Sequence, residues 1–264
     1  MGATTLSSRR AVRGWHAGHE RRVPARFGEV RAFVFDLGDV LYDATVWRRW
    51  LVRLLARLGL RVNYAEFFRV WDRDYLPDVY CGRREYAEAF ESLLSTRGLS
   101  RAQIEEATAA GHARRRDLAI HRHLLPGVLT TLGQLHAAGF PLALLCEADC
   151  PAGQIRQELH RLAIGDYFGP IVSSFDLGRA KPDPACFEAA LAALQLPRGQ
   201  VAFVGHDTAE LAAARRLGMA TVAFNFEPGA EADFCCLHFP ELLELVQAGR
   251  TPQGMRTQAG SRVP

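Results

Sequence analysis

Arg31-Ala32-Phe33-Val34-Phe35-Asp36-Leu37-Gly38-Asp39-Val40-Leu41 is the stretch on which the fold turns. Residues 32–35 form an apolar, aromatic and β-branched run that stops at a carboxylate. A short continuous run of this kind reads as a strand buried on both faces of a parallel sheet, and such strands carry their chemistry at the C-terminal end. Asp36 occupies that end. A carboxylate there serves as a covalent nucleophile, if cations and amides offset the charge of an incoming anion, or simply opens an Asp-x-Gly turn.

Downstream, residues 44–119 contain no strand-like run but several helical ones, at 47–58, 64–71, 84–96 and 101–118. In the first, Trp47, Trp50, Leu51, Leu54, Leu55 and Leu58 recur at spacings of three and four, which gives one buried face. From there the pattern alternates. Helices are expected at 128–138, 152–163, 184–194 and 208–217, and strands at 141–145, 170–173, 201–204 and 220–224. Asp183-Pro184 and Cys150-Pro151 place Pro at a first helical position, Asp207-Thr208-Ala209-Glu210 has capping-box spacing, and Gly139 and Gly218 stand where helices end. Residues 225–239 read as irregular and 240–246 as a last helix. Strands alternating with helices imply right-handed crossovers. The expected class is therefore α/β: a doubly wound, Rossmann-like parallel sheet at 29–43 and 120–248, with an α-helical cap inserted at 44–119. Residues 1–28 read as a disordered basic tail and 249–264 as a flexible polar one.

The composition is that of a globular chain, with 264 residues, 48% of them hydrophobic, and a formal net charge of +3. That charge is inflated by the start, where Arg9, Arg10, Arg13, Arg21, Arg22 and Arg26 face Glu20 alone. No apolar stretch has the pattern of a secretory signal or the length of a membrane span, so the expectation is a cytoplasmic protein with no membrane partner. Cys146 and Cys150, with the adjacent Cys235 and Cys236, fit zinc spacing poorly, and the six cysteines read as reduced thiols. The basic cluster Arg114-Arg115-Arg116 and His121-Arg122-His123 reads as a solvated connection between cap and core. It is too short to argue for nucleic-acid binding.

Four segments fall at C-terminal strand ends, which converge on one crevice in an open parallel sheet. They are residues 36–39, Cys146-Glu147, the loop 173–181 and Gly205-His206-Asp207. Lysine is almost absent from the chain, so Lys181 stands out. Two acidic ends and a lysine are what phosphoryl transfer to a carboxylate requires: a nucleophile, a cation on the phosphate and oxygen ligands for Mg²⁺.

In order and spacing these segments resemble the haloacid dehalogenase superfamily, in the branch with a helical cap between the first and second motifs. Residues 35–43 are similar to its first motif, Lys181-Pro182-Asp183-Pro184 to its third and residues 204–210 to its fourth. The resemblance implies a Mg²⁺-dependent phosphatase acting on a small phosphorylated substrate through an aspartyl phosphate. Asp36 and Lys181 would be catalytic, Cys146, Glu147 and Lys181 would meet the substrate, and Asp36, the Gly38 carbonyl and Asp207 would hold the metal.

The departures fall on functional positions. Gly38 stands where the family has an acid that protonates the leaving group. Cys146-Glu147 replaces a hydroxyl donor, and His206 replaces the leading acid of the fourth motif. Asp39 is the nearest carboxylate to stand in for the missing acid. Asp207 and Glu210 fit both a metal and a helix cap, and His206 is a third candidate ligand. So many simultaneous changes leave a second reading open, a non-catalytic binding or regulatory protein on the same fold. The cap, with candidates such as Arg49, Tyr75 and Arg83, would choose the substrate.

Overall fold

Ala32–Phe35 forms the central strand β1, every residue of it buried. In the computed structural model, which describes residues 23–226 and 229–250, five more strands join it. These are β2 (Leu142–Cys146), β3 (Phe168–Ser173), β4 (Val201–Gly205), β5 (Ala220–Phe224) and β6 (Phe234–Cys236). All pairings are parallel, in the order β3-β2-β1-β4-β5-β6. The chain runs outward from β1 to one edge, returns, and then runs to the other. The reversal places a crevice beside β1, because that is where flanking loops diverge. Phe35 pairs with Leu144 on one side and Val204 on the other, so the residues following each of these strands meet at one end.

The two faces of β1 feed different cores. Phe33 and Phe35 pack with Leu142, Leu144, Val204 and Phe239, while Ala32 and Val34 pack with Ala143, Leu145 and Phe203. The alternation follows from the period-two geometry of a strand, and each buried large side chain contributes about 1.5–3 kcal/mol.

After β1 come the helices α1 (Thr45–Arg57), α2 (Tyr64–Val70), α3 (Leu76–Tyr80), α4 (Tyr86–Ser95) and α5 (Arg101–Ile120). They enclose a third hydrophobic cluster, which includes Leu51, Leu55, Phe67, Trp71, Phe90 and Leu93. Ser100 starts α5 with a full capping box to Gln103. The rest cover the sheet: α6 (Val128–Ala137), α7 (Ala152–Arg161), α8 (Ser174–Leu177), α9 (Pro184–Leu194), α10 (Thr208–Arg216) and α11 (Leu242–Arg250). Helices α6, α7 and α11 lie on the Phe35 face, and α9 and α10 on the Val34 face.

Several expectations change. Residues 23–28, expected in a disordered tail, are placed: Phe27 is buried, and Arg26 binds Asp233 at 2.8 Å and the carbonyls of Gly218 and Met219. Residues 1–22 and 251–264, the rest of both expected tails, lie outside the described residues. The irregular segment contains β6, a three-residue edge strand. A π-helical turn, Trp71–Tyr75, joins α2 to α3. Pro151 is the N-cap of α7 rather than its first residue.

The basic cluster is only in part a solvated connection: Arg116, His121 and His123 are exposed, whereas Arg115 and Arg122 are engaged. Arg114, Arg115 and Arg116 lie in α5, and the Arg115 guanidinium stacks 3.8 Å from the Tyr86 ring centre while bonding Asp149. Arg122 stacks on Tyr42 at 4.0 Å and pairs with Glu158 at 2.7 Å. These contacts tie the helical layer to the sheet. All six cysteines are free thiols. Among the described residues no helix is long and apolar enough to cross a membrane.

Candidate active site

The chain leaves β1 in a tight turn. The Asp36 amide still donates to Val204 O at 2.9 Å, Leu37 N–H donates to Asp36 Oδ1 at 2.8 Å, and Leu41 N–H donates to Leu37 O at 2.9 Å. Asp39 sits in the left-handed region at φ 56°, which Asp tolerates better than most residues. Its Oδ1 accepts from the Ala44 amide at 2.8 Å, and burial raises its pKa. The Asp39 carboxylate is thereby tied to the loop that starts α1, and that engagement argues against its standing in for the acid missing at Gly38.

Lys181 is the chain's single lysine, and its side chain is only 1% exposed. Its Nζ lies 2.6 Å from Asp36 Oδ1, 2.8 Å from Glu210 Oε2 and 3.3 Å from Glu147 Oε2. One buried ammonium thus meets three carboxylates. Burial alone would discourage the Lys181 charge, but the surrounding acids hold its pKa well above the usual value. Burial likewise opposes the Asp36 charge, yet Lys181 and His206 outweigh it and lower that pKa to about 2. Glu210 and Glu147 are pushed up by burial, more than Lys181 pulls them down. Removing either member of a buried pair of this kind costs roughly 3–5 kcal/mol, because the survivor is left uncompensated.

At the end of β4, Gly205 allows a close approach. A Cβ there would stand 2.6 Å from the Phe203 ring, which in turn lies 5.8 Å below Lys181 Nζ. The next residue, His206, turns its Nδ1 to within 3.2 Å of Asp36 Oδ2. This nitrogen is buried and lacks an aligned hydrogen bond to any protein group. Burial disfavours the imidazolium, but Asp36 and Asp39 reverse that and raise the His206 pKa. Asp207 is the N-cap of α10, its Oδ1 accepting from the amides of Ala209 at 2.8 Å and Glu210 at 2.9 Å. Only half of the expected capping box forms, because the Glu210 side chain goes to Lys181 instead.

The end of β2 gives a split result. Cys146 is a buried core residue whose thiol faces Val172 O at 3.8 Å, and burial pushes its pKa up. Glu147 does face the crevice. Ser173 and Ser174, which the sequence places in the loop 173–181 without a role of their own, fasten the loop behind it: Ser173 Oγ donates to Cys150 O at 2.9 Å, and Ala148 N–H donates to Ser174 Oγ at 3.1 Å. From the helical layer, Tyr80 of α3 comes within electrostatic range of Glu147, and burial and that carboxylate raise its phenol pKa. Arg49 and Arg83 are instead paired with Asp43 and Asp78, and Tyr75 stacks on Trp71.

A strand-end carboxylate, a buried lysine from the loop after β3 and an acidic turn after β4 stand in the order of one known family, and its model, haloacid dehalogenase-like hydrolase, matches residues 30–218. The chain is a haloacid dehalogenase-like hydrolase. It is 31% identical over 235 residues to a phosphoglycolate phosphatase of Yersinia pseudotuberculosis, covering 84% of this chain and 95% of the relative. It is 27% identical over 197 residues to a phosphoglycolate phosphatase of Pseudomonas fluorescens, covering 74% and 70%. Its fold matches the crystal structure of a predicted phosphoglycolate phosphatase from Haemophilus somnus with a TM-score of 0.64, at 20% identity over 83% of this chain and 99% of the other.

Hydrolases of this family are associated with Mg²⁺, so the donors here must be compared with what that ion needs. It takes a near-octahedral shell of oxygens and binds nitrogen poorly. Asp36 Oδ1 is engaged by Lys181 and Leu37 N, and a ring nitrogen stands against Asp36 Oδ2. Asp207 is spent on α10 and Glu210 on Lys181. Among the described residues no three His, Cys, Asp or Glu side chains are grouped to hold a metal ion. The side chains present do not fit Mg²⁺: Asp207, expected to share it with Asp36 and the Gly38 carbonyl, caps α10, and a ring nitrogen stands beside Asp36.

Proposed function

We propose that this hydrolase cleaves a small phosphate ester or related phosphoryl anion through covalent attack by Asp36. The observation that carries the reading is the buried contact of 2.6 Å between Asp36 and Lys181 at the C-terminal end of the sheet. The relatives named phosphoglycolate phosphatase support the same reaction class. An Asp36 oxygen forms a bond to phosphorus as the bond to the leaving oxygen breaks, and the leaving oxygen takes the electron pair. Lys181 and the amides of the turn after β1 meet the charge of the transferring group. Water then attacks the phosphorus of the aspartyl phosphate. The electron pair returns to Asp36, and inorganic phosphate is released. No step is assigned to Mg²⁺, because Asp36 Oδ1 and Asp207, two of the oxygens expected to hold it, are engaged. Gly38 offers no side-chain proton, so the leaving group departs largely unassisted, and the favoured substrates are those with stable leaving anions.

The test is turnover of an aryl phosphate and an acyl phosphate by the parent, Asp36→Asn and Lys181→Ala, with and without divalent metal. Activity in the parent and its loss in both variants, each shown by thermal unfolding to remain folded at the assay temperature, support the reading. An inactive parent across a broad phosphate panel overturns it in favour of a binding or regulatory role.

A further inference from the structure

We infer that the His206 imidazole takes the place of a divalent cation beside Asp36, so that the nucleophile is held between two side-chain nitrogens of this chain and the site takes up no Mg²⁺. The inference rests on the hydrolase reading above and deepens it.

Two placements and the chemistry of the donors lead there. First, the register of β1 against β4 brings the residues after Phe35 and Val204 together, which makes the His206 side chain a direct neighbour of Asp36. The two oxygens of Asp36 consequently face different nitrogens: Oδ1 meets Lys181 at 2.6 Å, and Oδ2 meets His206 Nδ1 at 3.2 Å. A metal ion on Oδ2 would have to displace the ring or accept it as a ligand.

Second, of the other nearby acids only Glu147 faces the crevice, where it shares Lys181 with Asp36, and the rest are turned elsewhere. Asp39 is bound to the Ala44 amide, Asp207 to two amides of α10, and Glu210 to Lys181. Recruiting any of them to a metal would break a helix cap, a turn or a buried ion pair.

Third, the chemistry of the donors is wrong for a hard cation. An imidazole nitrogen at the position beside the nucleophile selects against Mg²⁺, whereas a carboxylate there would invite it. His206 touches the reacting carboxylate itself, so within this reading it is a catalytic residue rather than a distant support.

The decisive measurement is titration calorimetry of Mg²⁺, and separately of Zn²⁺, into chelator-stripped parent, His206→Asp and His206→Asn, each checked for folding by thermal unfolding. The expected result is no Mg²⁺ or Zn²⁺ site at Asp36 in the parent, a Mg²⁺ site gained in H206D and none in H206N. Thermal stability should rise with Mg²⁺ only in H206D, because a ligand that binds the native state alone stabilises it. Turnover of an aryl phosphate by the parent should change less than about twofold between excess chelator and added Mg²⁺.

Mg²⁺ binding by the parent, or loss of its turnover in chelator with recovery on adding Mg²⁺, overturns the inference. So does Zn²⁺ binding that disappears in H206N, which would make His206 a ligand. A folded H206D that gains no Mg²⁺ also overturns it, since His206 would then not be what excludes the ion. If no variant hydrolyses any phosphate, the proposed reaction falls, while the Mg²⁺ titrations still decide this point.

Discussion

Glu147 reaches the same ammonium that holds Asp36: its Oε2 lies 3.3 Å from Lys181 Nζ, whose other carboxylate contacts are Asp36 and Glu210. A phosphate entering this crevice has to share Lys181 with a carboxylate already beside it. Glu147→Gln keeps the shape and removes the charge. At an effective dielectric of about 20, a like charge some 5 Å away opposes a bound anion by roughly 3 kcal/mol before relaxation. Inorganic phosphate is therefore expected to bind E147Q about tenfold more tightly, and KM for a phosphate ester to fall with kcat less affected. Phosphate inhibition constants for parent and variant check this, and weaker binding in E147Q would remove Glu147 from the anion's path.

In the proposed reaction Gly38 would set the dependence on leaving group. Its backbone has no left-handed φ, and a Cβ added there would meet Ala44 Cβ at 3.4 Å, at the edge of ordinary contact. Gly38→Asp is thus sterically admissible and supplies the proton donor that the parent lacks. For the parent, the rate should fall steeply as the leaving-group pKa rises. In G38D alkyl phosphates should gain on the order of 10²-fold or more while aryl phosphates change little. A plot of log(kcat/KM) against leaving-group pKa decides it, and a flat line for the parent would refute unassisted departure.

The acid cluster makes stability depend on pH with opposite signs at its members. Asp36 has its pKa lowered from 3.8 to about 2 in the folded chain. Its contribution is present above the unfolded value and is lost as pH falls from about 4 through 2, worth roughly 2 kcal/mol. Glu210 is raised well above its ordinary 4.5, so its contribution is complete below that value and declines as pH rises toward its folded pKa. Glu210→Gln removes that decline and keeps an oxygen for Lys181. Unfolding temperatures measured between acid and mildly alkaline pH should show the E210Q variant gaining on the parent as pH rises. A constant difference across the range would mean that Glu210 does not titrate in that window.

Much of the sheet was legible because a buried parallel strand is a continuous apolar run, and 220–224 matches β5 in both bounds. The third-motif helix at 184–194 matches α9 because Asp183 caps it and Pro184 opens it. Strand β6 was not legible. Phe234–Cys236 is three residues long, has no alternation to display and is fixed by its pairing with Val222, Ala223 and Phe224. At the site, the sequence singles out Lys181 by rarity and spacing, but residue type does not say which way a side chain leaves a strand end. Cys146 and Glu147 are adjacent, and one faces the core while the other faces the crevice. Asp207 and Glu210 carry one spacing that serves two purposes. Only the folded arrangement separates them, giving the cap to Asp207 and Lys181 to Glu210.

Gly205 links packing to the site. A methyl group at this position would lie 2.6 Å from Cε1 of Phe203, far inside contact distance, so the ring has to shift. That ring packs edge-on against Phe187 with centroids 5.2 Å apart, which leaves it little freedom to do so. Overpacking of this sort costs about 1–3 kcal/mol, and for a chain of this size Tm should fall by roughly 2–4 °C for each kcal/mol. Because the Phe203 ring also lies beneath Lys181 Nζ, displacement should move the ammonium relative to Asp36. Gly205→Ala is therefore expected to lose activity under conditions where it remains folded, whereas Gly153→Ala, which meets nothing within 4 Å, should keep both stability and activity. Thermal unfolding and aryl phosphate turnover on the two variants test the link, and a G205A protein with lowered Tm but parental kcat/KM would separate the packing of Phe203 from the placement of Lys181.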